Sequence, residues 1–168
     1  MSDFKHTAKL SGDTLNLVLE GAIDEDTNFP PIDLNSVKKV VIDLNGIRAI
    51  NSVGIREWLA WIRPIAQVAT ITLERCPKSM VLQFNMVDGF LPPKTKVSSF
   101  YVPYFCEKCD FEGSHLFTLG KDVTNAPSGP SGPVISFNAK AASSCSDADC
   151  GIELDVSEAK YFQFLKRL

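Results

Sequence analysis

The feature that most constrains the fold is a short apolar run that is followed closely by a helical pattern. Val40-Val41-Ile42 is an unbroken run of β-branched residues, which is typical of a strand covered on both faces. Apolar residues then recur at helical spacing from Ile55 to Ala66, and Pro64 predicts a kink or an end late in this helix. Further strands are predicted at 15–21, 69–73 and 96–101, and a second helix at 78–86. Strands that alternate with helices predict an α/β domain with a mainly buried sheet.

The rest of the chain is marked by two close pairs of cysteines, Cys106 with Cys109 and Cys145 with Cys150. Each pair can turn two thiolates toward one metal, and four thiolates make the closed tetrahedral site that zinc occupies in structural centres. A stretch at 124–133, rich in Pro, Gly and Ser, lies between the pairs and predicts a flexible loop or hairpin tip. We therefore predict a small β-rich, zinc-ribbon-like domain at 102–168, in which these four cysteines hold a structural zinc.

Other interpretations of the cysteines stay open. The four thiols could form two disulfides or remain reduced, although a cytosolic setting disfavours disulfides. A catalytic zinc is disfavoured because four cysteine ligands leave no position for water. His115 does not stand at ligand spacing from Cys109, and Cys76 is predicted to be a buried thiol at the end of a strand.

Composition and motifs exclude several classes of function. The chain has 168 residues, with 17 Lys and Arg against 20 Asp and Glu, so its formal net charge is −3. Nucleic-acid binders usually carry a basic excess, so no nucleic-acid partner is expected. No apolar run approaches the ~18–20 residues that span a bilayer, and the first ten residues lack the apolar segment of a secretory signal, so we expect a cytoplasmic protein without a membrane span. The sequence contains no P-loop and no clear hydrolase triad, so no enzyme is predicted.

The segment Val40–Leu59 resembles part of the STAS domain, the fold of bacterial anti-sigma-factor antagonists. That family has an apolar strand, a turn and then a D-S-S-G-L motif that opens a helix; here the motif reads Asn51-Ser52-Val53-Gly54-Ile55. The upstream strand ends Leu19-Glu20-Gly21-Ala22-Ile23-Asp24, similar to the family pattern L-x-G-x-[IL]-D, and 69–90 is similar to the family's next strand, loop and helix. The resemblance implies a STAS-like mixed sheet with helices over residues 1–101.

The resemblance also implies a mechanism. In the family, a partner kinase, often an anti-sigma factor, phosphorylates the first serine of the motif, and Ser52 aligns with that serine. A phosphate at the start of a helix would meet backbone N–H groups and the positive end of the helix dipole. Asn51 stands where the family has aspartate. The implied function is a non-enzymatic signalling protein that binds an anti-sigma factor, switch kinase or sensor through a surface formed by Asp24, Asn51, Ser52, Val53 and Arg56.

Three alternatives stay open at this point. Asn51 and Ser52 both precede the helix and could cap its first N–H groups, and Ser52 could serve only as such an N-cap, without modification. The chain could be a structural or scaffolding protein that forms a homodimer through the ribbon or the aromatic tail at Tyr161–Leu165. It could also be an accessory subunit of a transporter or a ligand-binding member of the STAS family.

Overall fold

The computed structural model describes residues 3–124, 132–137 and 150–168. Within these ranges, the two longer helices are α1 (Ser52–Val68) and α2 (Lys78–Met86), and the chain ends in a short α3 (Glu158–Tyr161) and a 3₁₀ helix (Gln163–Arg167). The strands are β1 (Lys5–Ser11), β2 (Thr14–Ile23), β3 (Lys39–Ile50), β4 (Thr70–Glu74), β5 (Lys96–Val97), β6 (Ser99–Cys106), β7 (Phe111–Thr118), β8 (Val123–Thr124), β9 (Val134–Ile135) and β10 (Ile152–Leu154). Cys145 and residues 125–131 of the predicted loop lie outside the described residues.

The first sheet has five strands in the order β1-β2-β3-β4-β5. Strand β1 runs antiparallel to β2, whereas β2, β3, β4 and β5 run parallel to one another. The predicted α/β class with a mixed sheet is therefore confirmed. In the part of the chain that the structure describes, no helix is both long and apolar enough to cross a membrane.

One face of this sheet is apolar and carries the core. Alternate residues of β2 and β3 are buried on this face, as are Ile71 and Leu73 of β4. Helices α1 and α2 cover the face with Trp58, Ile62, Ile65, Met80, Val81 and Phe84, which are at most 2% exposed. The other face is polar and more open, and Val41 on that face is only half-buried. The prediction that the Val40–Ile42 strand is covered on both faces is therefore wrong, because the two helices pack on the same face.

Two local features depart from what the sequence predicts. Helix α1 does not end at Pro64 but continues to Val68, and Pro64 lies on its exposed side. Strand β1 gives no periodic signal because all seven of its residues are exposed, so only its pairing with β2 defines it.

The proline-containing segment between β2 and β3 packs on α1. The Trp61 Nε1–H donates to the Pro30 carbonyl at 2.9 Å, and the Trp61 ring stacks on Phe29 with ring centroids 4.6 Å apart. Trp58 is fully buried, and its Nε1–H donates to the Phe90 carbonyl at 3.0 Å. Trp58 is therefore part of the core, and the half-buried Trp61 packs against it.

A second, antiparallel sheet has the order β10-β6-β7 and joins the edge of the first. The Cys76 N–H donates to the Ser99 carbonyl at 3.1 Å, and the Tyr101 N–H donates to the Cys76 carbonyl at 2.8 Å. The predicted domain boundary after residue 101 falls inside β6, and residues on both sides of it belong to one buried cluster. Strands β8 and β9 flank the predicted Pro/Gly/Ser loop and pair with each other.

The C-terminal residues complete the core. Tyr161, Phe162, Phe164 and Leu165 are at most 4% exposed, and Phe164 packs on Phe84 and Phe100 with ring centroids 5.5 and 5.2 Å apart. The Tyr161 hydroxyl donates to the Tyr101 carbonyl at 2.6 Å. These tail side chains are used within the chain and are not accessible to a second copy.

We predict that Tyr161→Phe lowers the free energy of unfolding by about 1 kcal/mol, because it leaves a part-buried carbonyl without its donor. Urea unfolding measures this change. Tyr101→Phe is the matched control, since its hydroxyl bonds Asn45 at the exposed surface and its loss should cost less. A larger cost for the control would contradict the importance of the tail contact.

Candidate functional site

Three cysteines from two distant parts of the chain meet at one end of the second sheet. Cys106 ends β6, and Cys109 lies in the turn that leads into β7. Cys150 comes two residues before β10, which pairs with β6 so that Ile152 lies opposite Cys106. This register brings Cys150 back to the turn that holds the first two thiols.

The geometry of these three residues, here called the thiol cluster, is compatible with a metal. Their sulfur atoms all lie within 4.8 Å of one another. Tetrahedral zinc with Zn–S bonds of about 2.3 Å places its sulfurs about 3.8 Å apart, which falls inside this limit. Cys106 is buried, Cys150 is half-buried and Cys109 is exposed, so the cluster has an inner and an outer side. Asp110 ends the turn with a φ of 54°, a left-handed conformation that lets the chain reverse into β7.

The other candidate ligands have different positions. Cys145, the predicted fourth ligand, lies outside the described residues. His115 lies in the middle of β7 and packs on Phe117 and Phe137 with ring centroids 5.5 and 5.8 Å apart. Cys76 lies two residues after β4 and is fully buried, as predicted, and burial raises the pKa of its thiol.

The second candidate site is the start of α1, where Asn51 is the N-cap. Its Oδ1 accepts the Gly54 N–H at 2.8 Å, and its Nδ2 donates to the Glu25 Oε2 at 2.8 Å. The interpretation of Ser52 as the N-cap is therefore wrong, because Ser52 occupies the first helical position.

The two bonds of Asn51 explain why an amide suits this position. A carboxylate could accept the Gly54 N–H, but it has no donor for Glu25 and would repel it. The pKa of Glu25 is lowered by its own backbone N–H and by Asn51, so the ionised form is favoured beside the amide. The sequence alone did not reveal this pairing, because Glu25 and Asn51 are 26 residues apart.

Close backbone packing holds α1 against the end of β2. The Asn51 N–H donates to the Ile23 carbonyl at 3.1 Å, and a Cβ on Gly54 would lie only 2.0 Å from the same oxygen. Only glycine fits where two backbones approach this closely. The glycine of the motif therefore brings the first turn of α1 next to the turn that begins at Asp24.

The predicted partner surface is assembled at this point of the fold. Ser52 and Arg56 are exposed, and their i, i+4 spacing places them on one side of α1. Val53 is half-buried. Asp24 is also half-buried, and its Oδ1 accepts the Asp26 N–H at 3.1 Å. Asp24 and Asn51 thus make hydrogen bonds within the chain, and Asn51, Ser52 and Arg56 are the exposed members of the predicted surface.

Comparison with known proteins assigns the chain to no family. No family model matches it, and no curated protein matches it significantly. The STAS and zinc-ribbon resemblances therefore rest on the short motifs in the sequence. Both stay predictions.

We predict that Asn51→Ala lowers the free energy of unfolding by about 1 kcal/mol, because the Gly54 N–H loses its cap. Ser52→Ala is the matched control at the neighbouring position and should change stability by less than about 0.5 kcal/mol. Thermal or urea unfolding of the two variants measures the difference. Equal losses in both variants would contradict the assignment of the cap.

Proposed function

We propose that this chain is a non-enzymatic regulatory protein that binds a protein partner at the start of α1, with Ser52 as a phosphorylation switch. The observation that carries the proposal is that Ser52 is exposed at the first position of α1 while Asn51 performs the capping. A serine that caps a helix is tied to the backbone, whereas this hydroxyl faces solvent. The order of β3, the Asn51–Ile55 motif and α1 also agrees with what the STAS resemblance implies.

The electrostatics around Ser52 favour a switch. A phosphate there would add about two negative charges beside the N–H groups and the positive dipole end of α1. Arg56, one turn further on, lies within reach of such a group by its spacing. On the other side stand Glu25 and Asp26, which are exposed, so the phosphate would make this surface strongly acidic. A partner bound to the unmodified surface would meet a large change in charge after phosphorylation, and this repulsion would release the partner.

The family resemblance suggests an anti-sigma factor, switch kinase or sensor as that partner.

We predict that the protein purified from its source cells carries phosphate on Ser52 in a fraction of molecules, because this hydroxyl is exposed at the α1 start. Mass spectrometry of its peptides locates the phosphate. The partner is then sought by co-purification with wild type, Ser52→Ala and Ser52→Asp expressed in the same cells. Wild type and Ser52→Ala should retain it, and Ser52→Asp should lose it.

Ser52→Asp must also fold as well as Ser52→Ala, which unfolding curves verify. If no phosphate is found and both variants co-purify with the same proteins and keep the same oligomeric state, the switch is wrong. A scaffolding role is then favoured.

We propose in addition that the thiol cluster binds zinc as a structural ion, with Cys145 as the fourth ligand. The donor set supports this, because thiolates are the preferred ligands of structural zinc and four of them leave no open position. The ion would tie the β6–β7 turn to the start of β10, which itself pairs with β6 over only three residues. Zinc would thus stabilise the short β10 strand and the chain that leads from it to the C-terminal helices.

We predict that a native mass spectrum contains one zinc that is lost on denaturation, and that chelation lowers Tm by at least about 5 °C. The physical reason is that an ion bound only by the folded state stabilises that state. Cys109→Ser is the control, because its reduced Tm should no longer respond to the chelator. A spectrum without zinc from protein prepared under reducing conditions, with added zinc, would overturn the metal site.

A further inference from the structure

We infer that the outer side of the thiol cluster is an oxidation site, at which Cys109 and Cys150 form a disulfide with each other in response to a peroxide and release the bound metal. The release of metal rests on the proposed zinc site. The choice of partners in the disulfide does not, because it follows from the positions of the described cysteines Cys109 and Cys150.

The distance between the two sulfur atoms supports this pairing. The Sγ atoms of Cys109 and Cys150 are 3.0 Å apart, although the residues are 41 positions apart in the chain. A disulfide has an S–S length of about 2.05 Å, so the sulfurs need to approach by only about 1 Å. Register between β6 and β10 holds the two segments together, and one thiol lies in a turn that can adjust.

Among the cysteines that the structure describes, exposure separates this pair from Cys106 and Cys76. Cys109 is exposed and Cys150 is half-buried, whereas Cys106 is buried at the end of β6. A cavity of about 410 Å³ is lined by Glu107, Lys108, Gly151 and Glu153, which are the close chain neighbours of the two outer cysteines. A small oxidant therefore has access to the outer side first. Cys76 is fully buried in the core, where burial also raises its thiol pKa, and it serves as an internal thiol that should not react.

The reaction needs only the peroxide as oxidant. The Cys109 thiolate attacks one oxygen of hydrogen peroxide, the O–O bond breaks, and hydroxide leaves to give a sulfenic acid on Cys109. The Cys150 thiolate then attacks the Cys109 sulfur, the S–O bond breaks, and a second hydroxide leaves as the disulfide forms. Two thiolates, one peroxide and two protons thus yield one disulfide and two waters, and the two electrons pass from sulfur to oxygen.

Oxidation removes the metal but keeps the connection that the metal makes. Thiolates are the metal ligands, and a disulfide takes two of the four away, leaving Cys106 and Cys145. The new bond joins the same two segments, the β6–β7 turn and the start of β10. The second sheet should therefore stay folded after the zinc leaves, which makes the change a signal and not damage.

The test treats reduced, zinc-loaded protein with increasing hydrogen peroxide and follows released zinc with a chromogenic chelator. Disulfides are mapped by mass spectrometry of peptides under non-reducing conditions. We expect one zinc released per disulfide, Cys109–Cys150 as the first disulfide, and Cys76 still reduced. Circular dichroism should show that the fold is kept, and a thiol reductant with added zinc should restore the starting state.

Two variants and the metal-free protein make the test decisive. Cys106→Ser should still form the Cys109–Cys150 disulfide, whereas Cys109→Ser should lose it. If either variant does not fold, the disulfides mapped in the wild-type protein decide which cysteines pair first. A first disulfide between Cys106 and Cys109, or one that includes Cys145, would overturn the inference, as would zinc retention at full oxidation. Reduced, metal-free protein that forms the same disulfide but never takes up zinc would overturn the zinc proposal and leave this pairing intact.

Discussion

The structure depends on the burial of one apolar sheet face. Strands β2, β3 and β4 present leucine, isoleucine and valine side chains on that face, and leaving them in water would cost roughly 1.5–3 kcal/mol each. Helices α1 and α2 cover most of the face, and the aromatic C-terminal residues cover the edge next to α2 and β6. The end of the chain is thus part of the same core as its first sheet. Strand β6 and the C-terminal helices are both anchored in this core.

That anchoring places the thiol cluster. Strand β6 is buried in the core at Phe100 and ends at Cys106, so the position of the Cys106 thiol follows from the packing of the strand. Cys150 is placed by the return of the chain toward α3 and by the pairing of β10 with β6. A metal would therefore tie together segments that the core already brings near each other. The α1 start is built in a comparable way, since Gly54 allows the helix backbone to touch the end of β2.

The sequence predicted most of the fold wherever side-chain periodicity reports burial. Helix α2 was predicted with the bounds that the structure has, and β2 and β4 were predicted within two residues. Strand β1 was missed because no residue in it is buried, so its sequence carries no alternation. The sequence wrongly predicted that both faces of β3 are covered, because an apolar run cannot show on which side of a sheet a helix will pack. The sequence left Asn51 and Ser52 both open as the N-cap. The structure assigns the cap to Asn51, which accepts the Gly54 N–H and is also held by Glu25, 26 residues away.

By itself, the sequence determined the alternation of strands and helices, the motif at the α1 start and the presence of two cysteine pairs. These are local properties, because spacing along the chain sets which side chains share a face of a helix, strand or turn. Only the tertiary structure decided that α1 and α2 share one face of the sheet and that the tail closes the core. It also decided that the sulfur atoms of Cys109 and Cys150 lie 3.0 Å apart and that Asn51, not Ser52, caps the helix. The cap bond from Gly54 to Asn51 is local, although Asn51 is also held by Glu25, 26 residues away. The other features depend on contacts between residues far apart in the chain, and such contacts follow from packing and strand register rather than from local pattern.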